Sequence, residues 1–290
     1  QSKKNMSFRQ RETGILTSLS SRILLISLFL FNLNGLNAQR YFFDTYGVSE
    51  GLAQSTVFDI HQDHHHYIWL GTRAGLSRFD GKEFVNFTME DGLAENGVRV
   101  IYRDTSNHLW LGHSGGGVSI YDGHQFHVFS SPGTVFNSDI TSINSDGSGN
   151  LWITSEHSGA VRIYAPGETI QNSGYEKYLG NKLSERSTQS FKVYDIRDGL
   201  ASNWISTIGE DHHGRIWVGT WGGGVTVIDE DKMRTFDQSN GLPDQIIRKI
   251  REDEEGNILI GTDEQGLTLY KGEQFISFFE SDGLIDPQVY

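Results

Sequence analysis

From residue 41 onward the chain alternates apolar and polar positions in short runs, each closed by glycine, aspartate, asparagine or serine, and no segment sustains a 3.6-residue apolar period over three turns. That is a strand pattern with turn punctuation. The stretch NGVRVIYRD reads as a first strand, HLWLGH as a second, GVSIYDG as a third and QFHVFS as a fourth. The same quartet recurs. DHHHYIWLGT (63–72), DTSNHLWLGH (104–113), DGSGNLWITS (146–155), DHHGRIWVGT (211–220) and DEEGNILIGT (253–262) align without gaps, with Asp-to-Asp steps of 41, 42, 65 and 42 residues.

Four-stranded units repeated at this spacing predict an all-β fold, a β-propeller whose blades pack face to face around a channel. A solenoid is the competing architecture. Five complete repeats are present, flanked by a partial first and a partial last one: a fourth strand begins at Tyr41 without its three predecessors, and a first strand begins at Gly283-Leu284 without its successors. We therefore expect an incomplete propeller, with RYFFDTY closing a blade supplied from elsewhere. The 65-residue step reflects 22 additional residues between the third and fourth strands of repeat three, within 165–190, a polar segment expected to be a surface loop.

Residues 1–38 read differently. A basic, polar opening precedes an apolar stretch from Ile23 to Phe31, and Leu36-Asn37-Ala38 offers small residues for cleavage. The stretch is shorter than the roughly 20 residues that span a bilayer, so a secretory signal is expected rather than a permanent anchor, with the propeller domain at 39–290 and secretion or export to the periplasm. The absence of cysteine excludes disulfides, zinc thiolates and thiol nucleophiles. A formal charge of -13, without a basic stripe, argues against nucleic acid as a partner.

Repeat register sorts the candidate residues. Asp63, Asp104, Asp146, Asp211 and Asp253 open the turn between first and second strands, where a carboxylate accepts bonds from turn amides. His64, His65 and His66 occupy the tip of such a turn. Adjacent side chains on an exposed turn should splay apart rather than converge on one ion, so no metal is expected there, nor any other cofactor. Trp69, Trp110, Trp152 and Trp217 share one second-strand position, filled by Leu259 in the fifth copy, and are expected in the core.

Trp204 and Trp221 break the repeat, and both lie in its fourth copy. Their loops should emerge on one face of the propeller, opposite the histidine turns. There they predict an aromatic platform for a sugar ring, with Gly222, Gly223 and Gly224 clearing the approach and Asn203, Arg73, His113, Glu156 and Asp263 as further ligand contacts. Acids on these loops (Glu95, Glu156, Asp244, Asp263, Glu264), with His113 and His157, form no evident catalytic pair, and no catalytic residue is assigned.

The motifs DGLAENGV, DHHGRIWVGT and GGGVSIYDG, in register over about residues 41–290, resemble the two-component regulator propeller repeat. Gly133-Thr134 and Leu259 depart from it locally. The resemblance implies the periplasmic sensor region of a hybrid two-component protein, built from seven-bladed propellers and followed by a β-sandwich, a membrane helix and a histidine kinase. It further implies recognition of oligosaccharides from polysaccharide breakdown, and it is compatible with a homodimer of the longer protein. A propeller-type carbohydrate-active enzyme or lyase, and a protein-docking propeller, are the alternatives.

Overall fold

The structure is a computed structural model that describes residues 43–129, 136–164, 191–230 and 232–289. Its contacts divide the chain into Gln1–Thr45 and Tyr46–Tyr290. In the first unit the described residues, 43–45, lie in no strand. The signal segment, the start of the strand at Tyr41, Gly133-Thr134 and the insertion within 165–190 lie outside the described residues. Among the described residues no helix is long and apolar enough to cross a membrane.

The described residues of the second unit form five four-stranded antiparallel sheets, each running in chain order from inner to outer strand. Blade one is β1 (Val57–Gln62), β2 (Ile68–Thr72), β3 (Gly75–Phe79) and β4 (Phe84–Phe87). Blade two is β5 (Val98–Arg103), β6 (Leu109–His113), β7 (Val118–Tyr121) and β8 (Phe126–Val128). Blade three comprises β9 (Ile140–Ser145), β10 (Leu151–Ser155), β11 (Gly159–Ile163) and β12 (Phe191–Tyr194). Blade four is β13 (Ile205–Glu210), β14 (Ile216–Thr220), β15 (Val225–Asp229) and β16 (Lys232–Phe236). Blade five is β17 (Ile247–Glu252), β18 (Ile258–Thr262), β19 (Leu267–Lys271) and β20 (Gln274–Phe278). Inner strands pack in succession, β1 on β5, β5 on β9, β9 on β13 and β13 on β17.

The repeat aspartate does more than hold its turn. In blade two Asp104 Oδ1 accepts the amides of Ser106 and His108, and Oδ2 accepts the indole N–H of Trp110 at 2.9 Å. The same indole bond joins Asp63 to Trp69, Asp146 to Trp152 and Asp211 to Trp217. Those four tryptophans are at most 2% exposed. A buried indole N–H needs an acceptor, and the aspartate six residues upstream supplies one while fixing the ring. The Leu259 side chain has no N–H, and Asp253 Oδ2 instead accepts the Asn257 side-chain amide at 2.8 Å.

The glycine two residues beyond the tryptophan position sets the spacing between blades. A Cβ on Gly112 would lie 2.5 Å from Ile140 Cγ2, on the first residue of the next inner strand. Gly219 meets Ile247 in the same way, and Gly261 meets Val289. Blade three has Thr154 here, and its hydroxyl bonds Thr141 Oγ1 at 2.8 Å. Aromatic rings also cross the junctions, Trp69 with Tyr121 at 5.3 Å and Trp217 with Tyr270 at 5.2 Å.

Residues 283–289 form no strand, yet Val289 N–H donates to Thr262 O at 3.0 Å and Gly266 N–H to Pro287 O at 2.9 Å. Ile60 of β1 is 63% exposed, whereas its repeat equivalents Ile101, Ile143, Ile208 and Ile250 are 6%, 3%, 3% and 2% exposed. Among the described residues, then, the outer face of blade one is exposed where the equivalent faces of the other four blades are covered. Blade five likewise leaves Ile276 and Phe278 exposed.

Candidate functional site

The loops that enter each inner strand and those that join second to third strands lie together at one end of each blade. Backbone bonds knit them: Ser114 N–H donates to Gly97 O, Glu156 N–H to Asp139 O and Trp221 N–H to Trp204 O. Trp221 also forms a bridge with Ile246 of the next blade. With their backbones pinned, the two indoles stack, centroids 5.5 Å apart and planes 22° apart. The Arg248 guanidinium lies over the Trp221 ring at 4.2 Å and is itself bonded to Asp263 through Nε at 2.8 Å and through Nη2. His157 from blade three sets its ring edgewise to Trp204 at 4.9 Å. Three blades therefore contribute to one column, His157, Trp204, Trp221, Arg248 and Asp263. Unlike the four repeat tryptophans, Trp204 and Trp221 are only half-buried.

Of the residues singled out from the sequence, the structure brings together Trp204, Trp221 and Asp263. Asn203 flanks the column through structural bonds, its carbonyl accepting Gly159 N–H and its Oδ1 accepting Ile196 N–H. Glu156 is half-buried next to His157, and Arg73 is exposed on blade one. His113 departs from the expected role. It is fully buried, its Nε2 lies 2.8 Å from Ser119 Oγ, and burial pushes its imidazole pKa down to about 4 against the pull of the Gly97 and Glu95 carbonyls. It occupies the strand-end position that Thr72, Thr220 and Thr262 hold elsewhere, which removes it from ligand reach.

The glycines beside Trp221 also have backbone reasons. Gly224 has φ +80°, and a Cβ there would collide with Phe236 O; one on Gly223 would come within 2.7 Å of Ala201 O. The loop acids are engaged locally. Asp244 accepts the amides of Ile246 and Glu264, and Glu95 accepts that of Gly97. Sequence reasoning named His157 only beside the loop acids and missed Arg248, which sits on an inner strand of the next blade and reaches the column only when the blades pack.

At the other end lie the turns between first and second strands. Contrary to the expected splay, the rings of His64 and His65 lie 3.9 Å apart, and those of His212 and His213 3.7 Å apart. The tight turn closed by the aspartate puts consecutive side chains on one side. Among the described residues no group of three or more His, Asp or Glu is placed to hold a metal ion. Burial pushes up the carboxyls of Asp104, Asp146 and Asp211, but the bonds they accept outweigh it and hold them below the usual range. Asp253 is lowered chiefly by the hydrogen bond from the Asn257 side chain.

Residues 199–222 match the family model of the two-component regulator propeller. A 74-residue stretch is 38% identical to a histidine kinase, P4, of Formosa agariphila, covering 26% of this chain and 5% of that protein. Among solved structures, the extracellular domain of a hybrid two-component system from B. thetaiotaomicron superimposes with a TM-score of 0.65 at 23% identity, over 82% of this chain and 32% of that one. PorZ, a bacterial surface component of the type-IX secretion system of Porphyromonas gingivalis, gives 0.59 at 16% identity, over 80% and 35%. These structural likenesses establish the propeller fold, and the chain spans about a third of the length of each.

Proposed function

We propose that this propeller is the ligand-sensing part of a hybrid two-component sensor, exported to the periplasm by the N-terminal signal and coupled to a histidine kinase elsewhere in a longer protein. Its ligand is an oligosaccharide from polysaccharide breakdown, and its contact surface is the ledge made by Trp204 and Trp221, with Asn203, Glu156 and Asp263 around it. The observation that carries this reading is that these two of the six tryptophans keep solvent access and stand stacked against each other. The Arg248–Asp263 pair behind Trp221 holds the ledge rigid before any ligand arrives, which lowers the ordering cost of binding. Support for the signalling context comes from the family match and from the stretch shared with a histidine kinase. The seven-bladed ring belongs to the same proposal, and the bare faces of blades one and five support it.

Calorimetric screening of the exported chain against oligosaccharides tests the reading. A hit should lose at least tenfold in affinity in Trp204→Ala, since a stacked aromatic contributes on the order of 1 kcal/mol beyond its buried area. Unchanged affinity in a folded Trp204→Ala variant would refute the ledge.

A further inference from the structure

The histidine pairs are not scattered decoration. Each of the two pairs faces a tyrosine from the next blade: His64 and His65 line a crevice with Tyr121, and His212 and His213 line one with Tyr270. The two other described junctions have Thr105-Ser106 and Gly147-Ser148 at the turn, and at the tyrosine's register position Ile163 and Ile228. Histidine pair and tyrosine are thus present together or absent together. The resulting crevices hold about 230 Å³ and 210 Å³.

They differ in charge. In the crevice between blades four and five, Arg215 is paired with Asp211 at 2.7 Å and Lys271 with Glu255 at 3.1 Å, and Glu273 adds a further carboxylate to the lining. Between blades one and two, Arg78 lies on Tyr67 at 4.6 Å and reaches towards Trp69, but makes no ion pair among the described residues. The contrast with Arg162 is direct. Both arginines sit opposite the repeat tryptophan on the third strand, and Arg162 bonds Asp146 at 3.1 Å. Asp63, in the matching place, also lines the crevice and accepts the amides of His65 and Tyr67 and the Trp69 indole, as Asp146 accepts those of its own turn, but it forms no ion pair with Arg78. Asn107 points its carbonyl oxygen at Arg103, which leaves its amino group as a donor.

We propose that the crevice between blades one and two binds a small oxyanion, the carboxylate or sulfate group of a ligand, with Arg78 as its charge partner and His64, His65 and Asn107 as hydrogen-bond donors. A planar guanidinium stacked on an aromatic ring presents its N–H edge in a fixed direction, which suits two-point binding of such a group. In a domain this acidic, a donor-rich hollow also selects against the surrounding surface. The site stands on the opposite end of the blades from the tryptophan ledge and does not depend on it.

The test uses the full chain with ¹⁵N-labelled tryptophan, following the indole N–H of Trp69 on the crevice floor. Sodium glucuronate or sodium sulfate should shift that signal saturably while glucose does not, and Arg78→Gln should weaken the response at least tenfold while Arg162→Gln leaves it intact. Saturation by glucuronate alone assigns a carboxylate ligand, by sulfate alone a sulfate, and by both an oxyanion of either kind. Unchanged signals of Trp110, Trp152 and Trp217 report that the fold of Arg78→Gln is retained; should it fail to fold, Arg78→Lys, with charge but no fork, should weaken the response severalfold. Trp204→Ala should leave the anion response untouched, which separates this site from the ledge. No saturation with either salt, an equal response to glucose, or a response that survives Arg78→Gln would overturn the proposal.

Discussion

Ile60 and Ile101 hold the same place in two copies of one repeat, yet the first is 63% exposed and the second 6%. Residue type, strand and register are shared; only the neighbour differs. Ile101 has blade one to pack against, and Ile60 faces outward. A blade of this kind therefore does not bury its own hydrophobic face, and its stability is a property of its junctions, as in other nearest-neighbour repeat arrays. The same comparison holds at the far end, where Leu259 of blade five replaces a tryptophan that elsewhere fills a junction.

Truncations should expose this difference most strongly at the tryptophans. Trp110→Ala removes a ring with no exposed surface and leaves the Asp104 carboxylate without its indole donor, so it should cost about 3–5 kcal/mol in urea unfolding. Leu259→Ala, at a half-buried site, should cost about 1–2 kcal/mol. Equal losses at both positions would break the comparison. The isoleucines sharpen it at fixed chemistry: Ile101→Ala should cost about 2–4 kcal/mol and Ile60→Ala less than about 1. A large loss at Ile60 would mean that its face is covered in solution.

An effect of comparable size, spread over a pH window, separates blade two from its neighbours. His113 is buried neutral with its pKa lowered from 6.5 to about 4, so the unfolded chain takes up a proton in this window that the folded chain refuses. Its contribution to stability is complete above pH 6.5 and declines as pH falls towards 4, by about 1.4 kcal/mol per unit. His113→Thr, which installs the residue found at Thr72, Thr220 and Thr262, should flatten the acid limb of a stability profile between those values. A profile of unchanged slope would show that the imidazole is not isolated from solvent.

Much of this was legible in the sequence, because a gapless repeat superposes five independent readings of each position. The four-strand unit, the tryptophan core and the aspartate turn all follow from that register. So did the singling out of Trp204 and Trp221, since a departure from a repeat is visible only against the repeat. What the register concealed lies in the closure of turns and between blades. The indole bond to the aspartate joins residues six apart across a turn whose closure had to be seen. Arg248 and His157 reach the tryptophans from other copies, at no fixed sequence distance. His113 misleads for the opposite reason: a histidine stands where its register partners, threonine and serine, mark a buried strand end. The matched occurrence of histidine pairs and tyrosines was present in the aligned copies, one blade out of step.

Amide hydrogen exchange at the centre of each second strand tests the dependence of blades on their neighbours most directly. The amides of Leu111, Ile153 and Val218, in blades covered on both sides, should exchange at least tenfold more slowly than those of Leu70 and Ile260 in the two end blades. Uniform protection across all five would contradict the account, since it would mean that each blade is stable on its own or that the bare faces of blades one and five are covered.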